Sequence, residues 1–266
     1  MNPREQAEFS ALYARLDDLC HRAERGEVAA SAFLTPRELH YAEGYLRQRG
    51  ASYAAFGGYG EAERKRVYLL PEYMGEPSEN AALSTFFADF GMESDIVTLR
   101  IDGSGYRTLT HRDFLGAILG LGIERSVLGD LVADTEEGRW AVFFCDRGIA
   151  PFLEQELTKV ANDKVRTRLC DEWQLPTRRF VSIRDTVASA RLDCVIAALC
   201  GLSREKARET VCGGLVEIDF ESEERPDRTV DSCGQISVRG YGRFRIVALS
   251  EHTKKGRLRL EAEKYV

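Results

Sequence analysis

No two of the seven cysteines form a Cys-x-x-Cys pair. Cys20, Cys145, Cys170, Cys194, Cys200, Cys212 and Cys233 therefore lack zinc-ribbon spacing, and a disulfide framework is not expected in an unsecreted chain of this size. Several lie inside apolar runs, as in Phe143-Phe144-Cys145, where a thiol acts as a small buried hydrophobe. A reduced, cytoplasmic chain is expected. Histidine is scarce, at four residues, and no Ser-His-Asp order exists, so no catalytic residue, metal or cofactor is expected. No apolar run nears the ~20 residues that span a bilayer, and Met1-Asn2-Pro3-Arg4-Glu5 is too polar to open a secretion signal. Gly57-Gly58-Tyr59-Gly60 lacks the third glycine of a dinucleotide loop and has no Lys-Ser/Thr after it. His111-Arg112-Asp113 matches the start of a kinase catalytic loop, but Ile118 stands where that loop needs Asn. Internal repeats and low-complexity tracts are absent too.

What is present is an ordinary globular composition, 44% hydrophobic, with a net charge of −6. That charge excludes a general nucleic-acid coat. It is unevenly spread: residues 181–266 hold 15 basic and 14 acidic side chains, so the acidic excess lies before them. A near-neutral segment with clustered cations suits selective docking on structured RNA. The acidic N-terminal half offers a surface for a protein partner.

At 266 residues the chain suits two or three domains. Phe9, Leu12, Leu16 and Leu19 recur at helical spacing over residues 4–25, and Gly26 ends that helix. Thr35-Pro36-Arg37-Glu38 reads as a capped helix start running to about Gly50. Residues 52–56 and 66–70 read as strands. Arg64, Lys65 and Arg66 between them read as charges guarding a strand edge. Residues 71–77, rich in Pro and Gly, mark the first boundary. Beyond them the expected elements are a strand at 95–101, a helix at 110–121, strands at 129–133 and 139–145, a helix at 149–160 and a strand at 164–170. That order is the split βαβ, ferredoxin-like plan that RNA-recognition domains use. Trp140-Ala141-Val142-Phe143-Phe144 lacks their Lys/Arg-Gly-Phe core, so base stacking on this sheet has no sequence support. Residues 173–176 mark the second boundary. The expected class is α+β in three small domains: an N-terminal helical and mixed domain at 1–75, an RRM-like middle domain at 76–176, and an RNA-binding domain at 177–266.

The last domain carries the densest signal. Arg191-Leu192-Asp193 precedes Ser203-Arg204-Glu205-Lys206-Ala207-Arg208, then Gly214-Leu215-Val216-Glu217-Ile218 and Val238-Arg239-Gly240. Two short helices in a hairpin, followed by strands, fit this order. Ser203 caps the second helix, whose free N–H groups and partial positive charge are reinforced by Arg204, Lys206 and Arg208. Such a start binds phosphate. Asp193 orients Arg191 or caps its helix. Arg239-Gly240-Tyr241-Gly242-Arg243-Phe244 adds Arg239 and Arg243 for phosphate and Tyr241 for a base, with Phe244 assigned to the core. Lys254 and Lys255 form a basic turn, a further RNA contact or only a solvated one.

Residues 181–245 resemble the RNA-binding fold first named for ribosomal small-subunit protein four, the S-four or alpha-L domain. The resemblance rests on Arg191-Leu192-Asp193, Ser203-Arg204, Ala207, Gly214, Val216, Ile218, Gly234 and Arg239-Gly240. Asp219 replaces a usual Asn, and Gln235 a usual Asp. Over nearly its full length the chain also resembles the YlmH family of bacterial proteins. The matching stretches are Phe33-Leu34-Thr35-Pro36-Arg37-Glu38, Phe56-Gly57-Gly58-Tyr59 with Ala62-Glu63-Arg64-Lys65-Arg66, and His111-Arg112-Asp113-Phe114-Leu115-Gly116 with Leu121-Gly122-Ile123 and Gly129-Asp130. Gly60 departs from that family's usual Glu. The resemblance implies a non-enzymatic protein bound to the ribosome, contacting ribosomal RNA of the large subunit and tRNA, in rescue of translation stalled with peptidyl-tRNA. It also implies a link to cell division. Two rivals stand beside this. One is an RNA-modifying enzyme of pseudouridine-synthase type, disfavoured because Arg15-Leu16-Asp17, the only such triplet outside the C-terminal domain, lies in a helix. The other is a protein adaptor linked to cell division.

Overall fold

A computed structural model describes residues 9–75, 83–134, 136–170, 174–175, 180–230, 234–252 and 256–265. The chain is mixed α and β and divides into two compact units, 1–176 and 177–266. Where the sequence reads a boundary at residues 71–77, the elements on either side form one unit.

The first unit opens with α1 (Ser10–Glu24), which buries Tyr13, Leu16, Leu19, Cys20 and Ala23 along one stripe. After β1 (Ala29–Ala30), α2 (Pro36–Arg49) begins with a complete capping box: Thr35 accepts from the Glu38 N–H and the Glu38 carboxylate accepts from the Thr35 N–H. Gly50, at φ 64°, ends it. The strands β2 (Tyr53–Phe56) and β3 (Arg66–Leu69) complete an antiparallel sheet of order β1-β3-β2. Strand alternation splits β3 between two cores. Val67 and Leu69 pack under α1 and α2 with Leu16 and Leu46, while Tyr68 and Leu70 turn the other way.

The rest of this unit comprises α3 (Leu83–Asp89), β4 (Ile96–Gly103), α4 (His111–Gly120), β5 (Leu128–Ala133), β6 (Trp140–Asp146), α5 (Ala150–Glu156), β7 (Lys159–Val160) and β8 (Asp163–Leu169). The five strands pair antiparallel in the order β5-β6-β4-β8-β7. The sheet is the split βαβ connectivity with one short strand added. That addition shortens the helix expected to reach residue 160. Thr158, Lys159 and Val160 turn into a hairpin instead, and Thr158 and Val160 are β-branched residues that favour extended backbone. The α4 and α5 helices cover one sheet face through Phe114, Ile118, Leu153 and Leu157 against Leu99, Ile101 and Phe143. On the other face Val142 and Phe144 pack against Tyr68 of the three-stranded sheet and Phe33 and Tyr59 of its connecting loops. This shared core joins the two sheets into one unit.

The second unit comprises β9 (Phe180–Val187), α6 (Leu192–Cys200), α7 (Arg204–Cys212), β10 (Val216–Ile218), β11 (Glu221–Ser222), β12 (Gln235–Val238), β13 (Gly242–His252) and β14 (Leu258–Tyr265). The six strands form an antiparallel sheet of order β11-β10-β12-β13-β14-β9. Leu192, Val195, Ile196 and Leu199 of α6, with Ala207 and Val211 of α7, bury against Val216, Ile236, Phe244, Ile246 and Leu260. Gly201, left-handed at φ 65°, reverses the chain between the helices. The β10–β11 turn holds Asp219 and Phe220 at φ 49° and 71°, the double positive φ of a tight hairpin. Asp219 suits that conformation, and its carboxylate accepts the Gln235 N–H at 2.9 Å. Both departures from the S-four pattern thus meet in one hydrogen bond. Among the described residues no helix is long and apolar enough to cross a membrane.

Candidate nucleic-acid interface

The cationic corner of the second unit is built on one buried carboxylate. Asp193 lies in the first turn of α6, its side chain 3% exposed. It accepts two hydrogen bonds from the Arg191 guanidinium, at 3.1 and 3.2 Å, and one from Arg204 Nε at 3.4 Å. Burial alone would raise its pKa. The bonds from Arg191 and Cys194 and the charges of Arg191 and Arg204 outweigh this and hold it below the usual carboxylate range. One carboxylate cannot neutralise two guanidiniums, and the two side chains remain 40% and 62% exposed. The pairing therefore fixes two cations without cancelling them.

Ser203 takes the N-cap of α7, its hydroxyl accepting the Lys206 N–H at 3.2 Å. At 100° per residue Arg204 and Arg208 share one flank of α7, while Lys206 lies on the other. Glu205 and Glu209 occupy the solvent side between them. Lys206 pairs with Glu209 at 3.0 Å, but both side chains are about three-fifths exposed, so the pair is weak and leaves the ammonium available. Tyr241 is half-buried against the helical core, and its phenol bears electrostatically on Lys206, which places the ring beside the helix start. Arg239 is exposed in the turn after β12. Arg243 stands apart: Phe244 and Ile246 face the helices, so alternation puts Arg243 on the opposite sheet face, 5.8 Å from the Tyr265 ring centroid. Lys254 and Lys255 lie outside the described residues.

Three cations that the linear pattern does not reveal join this corner. The loop at 223–230 is fastened to the start of α6 by Leu192 N–H to Arg228 O at 2.8 Å and Asp193 N–H to Pro226 O at 3.0 Å. It brings Arg225 and Arg228 beside Arg191. Both hold Glu223, a buried carboxylate whose pKa falls to about 2; burial opposes the shift, and the hydrogen bonds from Arg225 and Arg228 overcome it. Lys264 enters from β14, paired opposite Phe244, and its charge reaches the Cys200 thiol at the end of α6. Burial still carries that thiol up to about 11. The sequence signal available was Arg225-Pro226-Asp227-Arg228, a turn with a cation on each side. Lys264 becomes visible only through strand pairing.

In the first unit, signature residues turn inward. Arg64 and Arg66 are each 8% exposed, and β3 is the central strand of its sheet, which replaces the edge-guard reading. Asp130 accepts from the Tyr59 hydroxyl at 2.7 Å and from the N–H groups of Glu63 and Arg64 at 2.7 and 2.9 Å. The Arg64 guanidinium donates to the carbonyls of Leu128, Phe33 and Arg125. Arg66 bridges Ser31 O, Asp95 and Asp146. A Cβ on Gly58, at φ 103°, would stand 2.2 Å from Phe144. These groups are spent holding two sheets together, so none serves a phosphate. Thr110 and Asp113 form a capping box at the start of α4, which accounts for the kinase-like triplet. Among the described residues no group of three or more metal-ligating side chains converges.

Residues 91–172 match a family model described as "Putative RNA-binding domain in YlmH". The chain is similar to ribosome-associated protein quality control protein P2 of Bacillus subtilis, 29% identical over 243 residues that cover 91% of this chain and 89% of that protein. Among solved structures it is similar to the cell division protein ylmH from Streptococcus pneumoniae, with a TM-score of 0.50, 19% identity, and coverage of 64% of this chain and 93% of the other. That likeness shows a shared fold.

Proposed function

We propose that this chain is a YlmH-family protein that binds folded ribosomal RNA and tRNA, and that its second unit is an S-four domain. The observation that carries this reading is the corner at the start of α7, where Arg191 and Arg204 are fixed on Asp193 beside Lys206, Tyr241, Arg225, Arg228 and Lys264. The match over 91–172 and the likeness to a ribosome-associated quality control protein support it. In this reading the chain is not an enzyme. It acts in the cytoplasm on large subunits that retain peptidyl-tRNA after translation stalls. The corner grips the RNA backbone through phosphates, and Tyr241 meets a base or ribose at its border. Arg208 adds a contact along α7.

The test is co-sedimentation of the full chain with purified large ribosomal subunits. Arg204→Glu with Lys206→Glu places two carboxylates at the helix start, and it is expected to abolish co-sedimentation while far-UV dichroism shows the fold retained, with Arg191 still paired to Asp193. Undiminished co-sedimentation of that variant would overturn the proposal.

A further inference from the structure

We propose a second RNA surface in the first unit, on the outer half of the five-stranded sheet. It rests on the RNA-binding reading and adds a separate site. Along β8, Val165 and Thr167 turn toward the helices, so Lys164, Arg166 and Arg168 stand on the opposite face, all three exposed. Lys159 of β7 lies directly across from Lys164, and Arg100 of β4 directly across from Arg168. Five cations therefore share this face. Asp102, opposite Arg166, is the acidic residue among them, bonded to Arg100 at 2.6 Å and Arg168 at 3.2 Å. Like charges directly opposed across a ladder destabilise a sheet. Folding disfavours this arrangement, and an anionic ligand would relieve it.

The geometry also fixes the mode of binding. RNA-recognition sheets stack bases on aromatics of their central strands. Here Phe144 and Val142 of the inner strand β6 are fully buried in the core shared with Phe33, Tyr59 and Tyr68. The Trp140 ring is occupied by the Arg100 guanidinium, 4.2 Å from its centroid. What remains open is a row of cations at intervals of roughly 7 Å along β8. Such a row meets phosphates and reads no bases. The surface takes RNA by its backbone, without sequence preference and with strong dependence on salt.

Filter retention of extracted ribosomal RNA by the full chain, across a KCl series, tests this. Three proteins are compared: the wild type, Lys164→Glu/Arg166→Glu/Arg168→Glu, and the corner variant Arg204→Glu/Lys206→Glu. Each phosphate contact contributes about 0.7–0.9 to the log–log salt slope. The triple variant is expected to lower that slope by about 2 and to weaken binding roughly 10–100-fold at low salt. Crosslinked peptides of the wild type should include residues 159–168. If only the corner variant weakens, with the triple variant unchanged in slope and affinity, the second surface is refuted and the corner stands. If only the triple variant weakens, the second surface stands and the corner reading falls. If neither changes, both fail. Lys164→Gln/Arg166→Gln/Arg168→Gln, which removes charge without adding any, gives the deciding slope should the Glu variant lose its fold.

Discussion

Replacing Asp130 by alanine should weaken the fastening between the two sheets of the first unit. The carboxylate is 8% exposed and holds the Tyr59 hydroxyl and the Glu63 and Arg64 N–H groups, all within 2.9 Å. Alanine leaves these three donors facing each other with little water. An orphaned buried donor costs roughly 1–3 kcal/mol, and water entering the vacated space recovers part of that. The expected loss is about 3–5 kcal/mol, near the upper end for single substitutions. For a unit spanning residues 1–176 this corresponds to a fall in Tm of roughly 10–15 °C. Differential scanning calorimetry of the full chain, with urea titration followed by tryptophan fluorescence, measures it. Tyr59→Phe removes one donor and should cost about 1 kcal/mol, and the double variant should lose less than the sum, because both substitutions break the same hydrogen bond. A loss below about 1 kcal/mol for Asp130→Ala, or strict additivity with Tyr59→Phe, would refute the assignment of Asp130 as the fastening point.

The second unit should weaken in acid through Glu223. Its pKa, lowered from 4.5 to about 2, means that the stabilisation is fully present above pH 4.5 and is lost as pH falls toward 2. The shift corresponds to at most about 3 kcal/mol, reduced because Arg225 is well exposed. Urea midpoints at pH 7 and pH 3 should differ less in Glu223→Gln than in the wild type. Gly58→Ala should cost at least about 2 kcal/mol, because its backbone is left-handed and Phe144 fills the space a Cβ would need. Gly60→Ala, with nothing within 4 Å, should stay within about 0.5 kcal/mol by the same urea titration.

The elements most legible in the sequence are those with local causes. Thr35 with Glu38 and Thr110 with Asp113 write their helix starts into four residues each, and both capping boxes form. The C-terminal hairpin likewise follows from Gly201 and the Ser203 cap. What stayed illegible depends on which elements meet. Arg64 and Arg66 look like surface charge because nothing near them in sequence says that carbonyls of Phe33, Leu128 and Arg125 will surround one and carboxylates of Asp95 and Asp146 the other. Arg243 reads as a neighbour of Tyr241, yet Tyr241 lies in the turn before β13, and Arg243, next to the buried Phe244, is sent to the far face by strand alternation. Arg225, Arg228 and Lys264 reach the corner through a loop and a ladder, relations that no linear spacing encodes.

The carboxylate of Asp193 is sealed below its two arginines, which gives the corner a memory of shape in the absence of any ligand. Long cationic side chains ordinarily wander and must surrender that freedom on contact. Here part of that freedom is already gone when the protein folds, while both guanidiniums remain exposed. An arriving phosphate thus completes a half-built clamp, and on leaving it does not unmake one. Exchange can be rapid without the geometry ever being lost.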